Sequence, residues 1–441
     1  MQKGFIRNGK IVRLKQKRKP KLIAYCDSPI CHSGFGVVSR NILGLLHETG
    51  LFDITVFGIN HYTESDDFAR IAKPNVPYEI LPASYITAEE YDAGYDDDMY
   101  GKKKLLKLMY QNKYDVFWSV QDTFIVSFLK DAFKAYEKIG KKMISMLYFP
   151  VDGDIKKEWA EIPFSFDYPI VYTRYGKQQI MKHLPDKTDL RVIPHGTNVK
   201  DFYVLSPQKK KNIRKQLGIA DDTCVVINVN RNQPRKDLGR TFQVFREFKK
   251  QIPNSVLLMF CNPVDAGGDL FTRMKYYGLE HNKDVIFPDF PKGKGAFKGV
   301  PVEAVNEAYN IADMCVSTTL GEGWGLSLTE AMAVKVPVIF PAHSSINEIL
   351  GDDERGWKVK CGSTNSEFIQ LPLQADDPIR PLTNIDDMLA DMLFVWENRN
   401  QREVLDRVDE AYEWAKEHSW DKIFNEYWYP LFQEVHKNFI S

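Results

Sequence analysis

The feature that most constrains this chain is an alternation that runs through it twice. From Lys21 onward, short apolar runs alternate with helical segments: KLIAYCDS, a glycine turn, VVSRNILGLLHETG, DITVFGI, a helix near 102–112, YDVFWSV, a helix near 123–139, KKMISMLYFPVD, PIVYTR and RVIPHG. That order is the signature of strand–helix–strand units around a parallel, doubly wound sheet. A lysine-rich stretch, SPQKKKNIRKQLGIADD, interrupts it, and the pattern starts again with TCVVINVNR, LGRTFQVFREFKKQI, SVLLMF, DVIF, VEAVNEAYNIA, MCVST and PVIFP. The simplest architecture is α/β, with two Rossmann-like parallel-sheet domains joined near 205–220. The length of 441 residues agrees, being too great for one ordinary core.

The boundaries read as a basic arm over 1–20, a first domain over 21–205 and a second over 206–419, followed by an aromatic helical segment over 420–441. That last segment is too apolar on one face to be left in water and must dock on something. The first 21 residues hold nine Lys or Arg and no acid, and FIRNGKIVRL alternates around Asn8-Gly9 as a type I′ hairpin does. It reads either as a solvated edge hairpin or as an arm that seeks phosphates. AEEYDAGYDDDMYGKKK and PDFPKGKGAFKG read as charged surface loops. Over the whole chain 59 basic and 59 acidic residues balance, so no bulk attraction to nucleic acid or membrane follows. The six cysteines are scattered without metal-ligand spacing, and no long apolar run marks a signal peptide or membrane span. A cytoplasmic protein with buried thiols is expected.

Three glycine-bearing strand-to-helix turns are candidates for chemistry. Ser33-Gly34-Phe35-Gly36 follows the first strand but lacks the full dinucleotide fingerprint, and packing explains such turns equally well. The second, Asn230 to Asp237, ends the strand of the second half and carries Arg231 and Lys236 around Pro234, two cations that suit a diphosphate. The third is GEGWGLSLTE, residues 321–330. Here Gly323, Trp324, Gly325 and Leu326 present amides at the start of a helix expected over 326–335, where backbone N–H groups and the helix dipole favour phosphate. Carboxylates repel phosphate, so the two glutamates must face other parts of the ligand. Glu330 can accept the vicinal hydroxyls of a ribose and Glu322 those of a second sugar. A nucleotide diphosphate sugar has groups in that order; helix capping by Glu is the plainer alternative.

These residues resemble the retaining glycosyltransferases of the glycogen-synthase-like family 4. GEGWGLSLTEAMAVKVPVIFP carries that family's paired glutamates, Glu322 and Glu330, and the similarity extends through AYNIADMCVSTTL and NEILGDDERGWKV. Arg231 and Lys236 fit its donor-phosphate Arg and Lys, VIPHGTN its domain-linking motif, and Gly34 and Gly36 its amino-terminal glycine loop. The resemblance implies a GT-B architecture, two domains facing a cleft with the last helix crossing back to the first. It also implies transfer of a sugar from a UDP- or GDP-linked donor with retention, with no obligatory metal or cofactor although magnesium is compatible.

Glu330 would then hold the ribose, Glu322 the donor sugar, and Arg231 with Lys236 the departing diphosphate. LYFPVDGD lacks the family's His, leaving Asp152 as the nearest polar candidate for a catalytic or acceptor-side role, with Asp122 and His195 also on the acceptor side. The acceptor reads as a glycan, lipid, protein or modified DNA. A nucleotide-sugar epimerase or hydrolase using His195 and His343, a nicotinamide oxidoreductase and a non-catalytic sugar-binding protein are the competing readings.

Overall fold

The structure is a computed structural model that describes residues 4–7, 10–13, 18–61, 76–83, 98–288, 300–371 and 379–440. Two parallel sheets organise it. In the first, the strands lie in the order Glu79–Pro82, Asp53–Ile59, Lys21–Asp27, Val116–Val120, Ile144–Phe149, Tyr168–Val171, Arg191–Val192. In the second the order is Val285–Ile286, Ser255–Phe260, Cys224–Val229, Met314–Val316, Val338–Pro341, Trp357–Val359. Each sheet starts at its middle, winds one way and then returns to wind the other. The break in order falls beside Lys21–Asp27 in the first domain and beside Cys224–Val229 in the second. Strands covered on both faces need continuous apolar runs, and Val116–Val120 is buried at every position.

The lysine-rich stretch is the opening helix of the second domain, Pro207–Gln216, with Ser206 capping it through Lys209 N. Three of its five cations are paired: Lys209 with Glu307 at 3.1 Å, Lys211 with Asp221 at 2.8 Å and Arg214 with Asp313 at 2.8 Å. Two helices differ from expectation. The segment near 123–139 is two helices, Thr123–Val126 and Leu129–Lys138. The helix after the glycine turn stops at Ala333, because Lys335 takes a left-handed φ of 60° to enter the next strand. The helix expected near 102–112 is present as Lys102–Gln111.

The carboxyl-terminal aromatic segment docks on the first domain. The chain leaves the helix Arg402–Glu417 at the interdomain joint, where Thr197 N donates to His418 O at 2.7 Å and Trp420 N to Thr197 O at 3.3 Å. Gly196 permits this approach, since a Cβ there would lie 2.4 Å from Trp420 Cα. The helix then runs through Trp420–Ile423, a π-helical turn over Phe424–Trp428 and Tyr429–Ile440. Trp428 is fully buried, with ring centroids 4.8 Å from Tyr148 and 6.2 Å from Trp118.

At the amino terminus Gly4–Arg7 pairs antiparallel with Lys10–Arg13, placing Arg7 opposite Lys10; the turn at Asn8-Gly9 lies outside the described residues. Arg18 fixes the root of this arm by bonding both oxygens of the buried Asp115 at 2.5 and 2.7 Å. Most of the two expected charged loops, 84–97 and 289–299, also lie outside the described residues. No helix among the described residues is long and apolar enough to cross a membrane. All six cysteines are free thiols, five of them buried.

Candidate active site

In open parallel sheets, ligands bind beyond the carboxyl ends of the strands where the strand order reverses. In the second domain two loops meet at that place, 230–237 after Cys224–Val229 and 317–325 after Met314–Val316. Polar side chains tie them from below. Asn228 donates to Thr241 Oγ1 at 3.1 Å, the Thr241 and Thr318 hydroxyls lie 2.7 Å apart, and Thr318 Oγ1 donates to Asp237 O at 2.9 Å. Above them Leu320 N donates to Arg235 O at 2.7 Å, and the Arg235 guanidinium returns to Gly321 O at 2.7 Å. The loops therefore form one rigid platform.

Charges converge on that platform. One oxygen of the buried Glu322 receives Lys236 Nζ, and its other oxygen receives Arg235 at 3.3 Å. Burial alone would raise the Glu322 carboxyl, but Lys236 and Arg235 hold it below the ordinary range. Burial, reinforced by the Arg235 charge, brings Lys236 down to about 8. Asp152 enters from the first domain. Its Oδ1 accepts from Arg380 at 2.9 Å and its Oδ2 lies 3.6 Å from Arg235. Against the upward pull of burial, these cations take Asp152 down to about 2, so it is an anion at any ordinary pH and holds no proton to exchange.

The glycine turn does more than present amides. Gly325, at φ 105°, precedes the helix Leu326–Ala333 in a conformation that favours glycine. Gly321 and Gly323 let the other domain approach: a Cβ on Gly321 would fall 2.0 Å from Asp152 O, and one on Gly323 2.6 Å from Pro150 Cβ. Across the cleft stands the turn of the first domain, with Leu326 Cδ1 3.5 Å from the Cβ position of Gly34. Gly36 serves that turn's own packing, because a Cβ there would meet Cys31 O at 2.4 Å. Ser33 caps the helix Gly34–Thr49 through Gly36 N and also donates to the buried Asp27 carboxylate. Burial raises Asp27 despite that bond and those of Asn60 and Gln121.

The remaining candidates spread outward from the cluster. Glu330 lies in the helix Leu326–Ala333, accepts from Tyr309 Oη at 3.1 Å, and is raised by burial to about 7. Arg231 binds Asp265 through Nε at 2.8 Å and Nη2 at 3.2 Å, and its charge also acts on Asp27 of the first domain. Trp324 points into the core, its ring 5.5 Å from His195 and its carbonyl held by Ser345 Oγ at 2.6 Å. His195 is 3% exposed, enclosed by Tyr148, Tyr172, Trp324 and Trp420, bonded to Tyr148 Oη at 2.5 Å and lowered by burial to about 3. That environment is one of packing, without access for an acceptor. Asp122 immediately precedes the helix Thr123–Val126, where its carbonyl accepts from Ile125 N at 3.1 Å.

Two residues of the cluster escaped the sequence reading. Arg235 sits beside Lys236 in the run PRK, where spacing alone does not show that both adjacent cations reach one carboxylate. Arg380 gives no local signal, since it comes from a short antiparallel arm, Phe368–Gln370 with Ile379–Pro381, far along the chain from the glutamate loop. Among the described residues no group of three His, Cys, Asp or Glu side chains could hold a metal ion.

Two facing, doubly wound parallel-sheet domains with a helix returning to the first define the GT-B class. Residues 209–370, under half of the chain, match the family described as glycosyl transferases group 1. A curated relative, the alpha-monoglucosyldiacylglycerol synthase of Acholeplasma laidlawii, is 28% identical over 184 residues, spanning 41% of this chain and 42% of the relative. The matched stretch is thus under half the length of that relative. Sucrose-phosphate synthase from Thermosynechococcus elongatus superposes with a TM-score of 0.66 at 16% identity, covering 95% of this chain and 100% of its own. HepE from Anabaena, in complex with UDP-glucose, superposes with a TM-score of 0.64 at 13% identity, covering 95% and 99%.

Proposed function

We propose that this protein is a retaining glycosyltransferase that moves a sugar from a UDP- or GDP-linked donor to a hydroxyl acceptor. The observation that carries the reading is the ion cluster of Lys236, Arg235 and Glu322 on the glycine platform, facing the first domain across the cleft. Bond breaking at the sugar leaves charge on the diphosphate, and cations fixed beforehand in a desolvated place stabilise that charge without reorganising. Lys236 and Arg235 are such cations. Glu322, at the same point, accepts sugar hydroxyls, and Glu330 accepts those of the ribose. The bound UDP-glucose of HepE, a protein of like fold, supports a nucleotide-sugar donor. The group 1 match over the second domain supports placing the donor there.

Asp152 enters this scheme as a fixed anion beside the donor sugar, since a carboxyl at about 2 cannot act as a general acid or base near neutrality. An epimerase or hydrolase working through His195 and His343 is disfavoured, since the first ring is buried and the second is lowered by burial to about 4, with its Nε2 3.0 Å from Thr319 O. The acceptor is a hydroxyl compound docked on the first domain, with glycan, lipid, protein and modified DNA as the classes to screen. The test is incubation with a panel of UDP- and GDP-sugars, thermal protection identifying the donor, then assay with candidate acceptors and NMR of the anomeric proton in the product. The expected result is donor consumption that depends on acceptor, with configuration retained. Consumption of equal rate without acceptor would replace the reading with hydrolysis.

A further inference from the structure

The structure assigns Arg380 as a positioning residue that locks Asp152 and the glutamate loop in register across the cleft; we infer this on the strength of the glycosyltransferase reading above. Arg380 is 5% exposed and lies on the arm formed by Phe368–Gln370 and Ile379–Pro381. Its Nη1 donates to Asp152 O at 3.0 Å and to Leu320 O at 3.3 Å, and its Nη2 to Asp152 Oδ1 at 2.9 Å. One guanidinium thus binds both main chain and side chain of Asp152 in the first domain, and the carbonyl two residues before Glu322 in the second. Arg235 completes the bracket, reaching the other Asp152 oxygen at 3.6 Å while holding Gly321 O at 2.7 Å.

Local sequence makes room for this contact. A Cβ on Gly153 would come within 3.0 Å of Arg380 Nη1, and one on Gly321 within 2.4 Å of the same atom. The arrangement is costly as a source of stability. Arg380 Nε is buried without a hydrogen-bond partner, and buried ion networks seldom outperform apolar packing of similar volume. What the network supplies is geometry: a planar, multidentate cation fixes three acceptors from two loops at once, which an apolar contact or a lysine does not. Misplacement of a reacting group by about 1 Å costs about 100-fold in rate, so a residue that sets the distance between Asp152 and Glu322 governs turnover more than nucleotide affinity.

The test uses the full-length protein with Arg380→Ala, Arg380→Lys, Asp152→Asn and the double variant Arg380→Ala/Asp152→Asn. Hydrogen exchange is read at 150–153 and 320–323, UDP and GDP binding by calorimetry, and kcat and KM for the donor found in the screen. Expected are faster exchange at both loops in Arg380→Ala, nucleotide affinity within about threefold of the native protein, and kcat lowered at least tenfold with Lys only partly restoring it. The double variant should be no worse than the worse single one, as members of one unit are not additive. Unchanged exchange at both loops in Arg380→Ala overturns the positioning role whether or not a donor is ever found. Glu348→Gln serves as the comparison, because Glu348 joins the domains elsewhere, accepting from Arg174 N at 2.9 Å. If it lowers kcat as much as Arg380→Ala does, the effect belongs to general closure and the assignment falls. Absence of turnover with every donor would sink the glycosyltransferase reading while leaving the exchange result standing.

Discussion

The two glycine turns of this molecule face one another across the cleft and have the same local form, a strand, a turn and a helix, yet their glycines answer to different neighbours. Gly36 in the first turn is crowded by its own loop, at Cys31 O and Ser28 O. Gly321 and Gly323 in the second are crowded by the opposite domain, at Asp152 O and Pro150 Cβ. The acids beside them differ in the same way. Asp27 takes its hydrogen bonds from hydroxyl and amide donors of its own domain, with Arg231 of the second domain adding a weaker pull, whereas Glu322 is satisfied by Lys236 and Arg235 on a loop that also binds Asp152. A glycine turn can therefore close on itself or be shaped by what approaches it, and only the second kind marks a place where the two domains meet.

The comparison breaks outright if the cations of the second turn are dispensable. Lys236→Ala is expected to lower kcat about 10²- to 10³-fold, the usual cost of removing one fixed donor to a charge that develops in the transition state. Steady-state kinetics at saturating donor, with circular dichroism to confirm the fold, check it. A loss under about fivefold would mean that the diphosphate is stabilised elsewhere, and the functional contrast between the turns would go with it.

Alanine at the two glycines sharpens the contrast. Gly36→Ala drives a methyl to 2.4 Å from Cys31 O within one rigid turn, so it should destabilise the fold by about 1–3 kcal/mol while folded protein keeps its nucleotide affinity. Gly323→Ala meets Pro150 on a separate domain, which can withdraw. It should leave the melting temperature nearly unchanged but lower kcat about tenfold, because the cleft cannot reach its closed geometry. Melting curves and kcat for both variants decide the matter, and an exchange of the two outcomes would reverse the interpretation of the turns.

How far the sequence already showed this depends on whether a residue's partner lies nearby in the chain. The double alternation of apolar runs with helices made the two parallel sheets legible, because strands covered on both faces must be apolar throughout. The platform was legible too, since Lys236, Glu322, Glu330 and the glycines stand at strand ends beside helix starts. Arg380 was not, because its partners Leu320 and Asp152 are 60 and 228 residues away and its arm has no periodic pattern. The side of the loop to which Arg231 turns was equally hidden: spacing placed it with Lys236, but Asp265 from the next strand-end loop holds it. Trp324 and His195 show the same limit, as glycine and aromatic positions near a motif do not reveal which way a ring points.

The smallest expected effect concerns protons, and it separates the turns by their acids. Glu330 accepts two hydroxyls well only when ionised, and in the unliganded protein burial raises it to about 7. Donor affinity should therefore rise severalfold, by at most about tenfold, from about pH 6 to pH 8, as expected when a ligand favours the ionised form. Above the Lys236 value of about 8 it should fall again as that cation is lost. The sign for stability is opposite. A carboxyl raised from 4.5 to about 7 stabilises the unliganded fold by taking up a proton, fully below the lower value, and that contribution disappears as pH passes the upper one.

Glu330→Gln should flatten the rise in affinity and remove this decline in stability, with calorimetry and thermal melts across the pH range as the readouts. Asp27 is also raised, but its donors come from the first turn's own domain. Asp27→Asn should leave the pH dependence of donor binding as it is in the native protein. A flattened profile in Asp27→Asn, with the rise intact in Glu330→Gln, would move the ribose to the first turn and undo the division of labour between them.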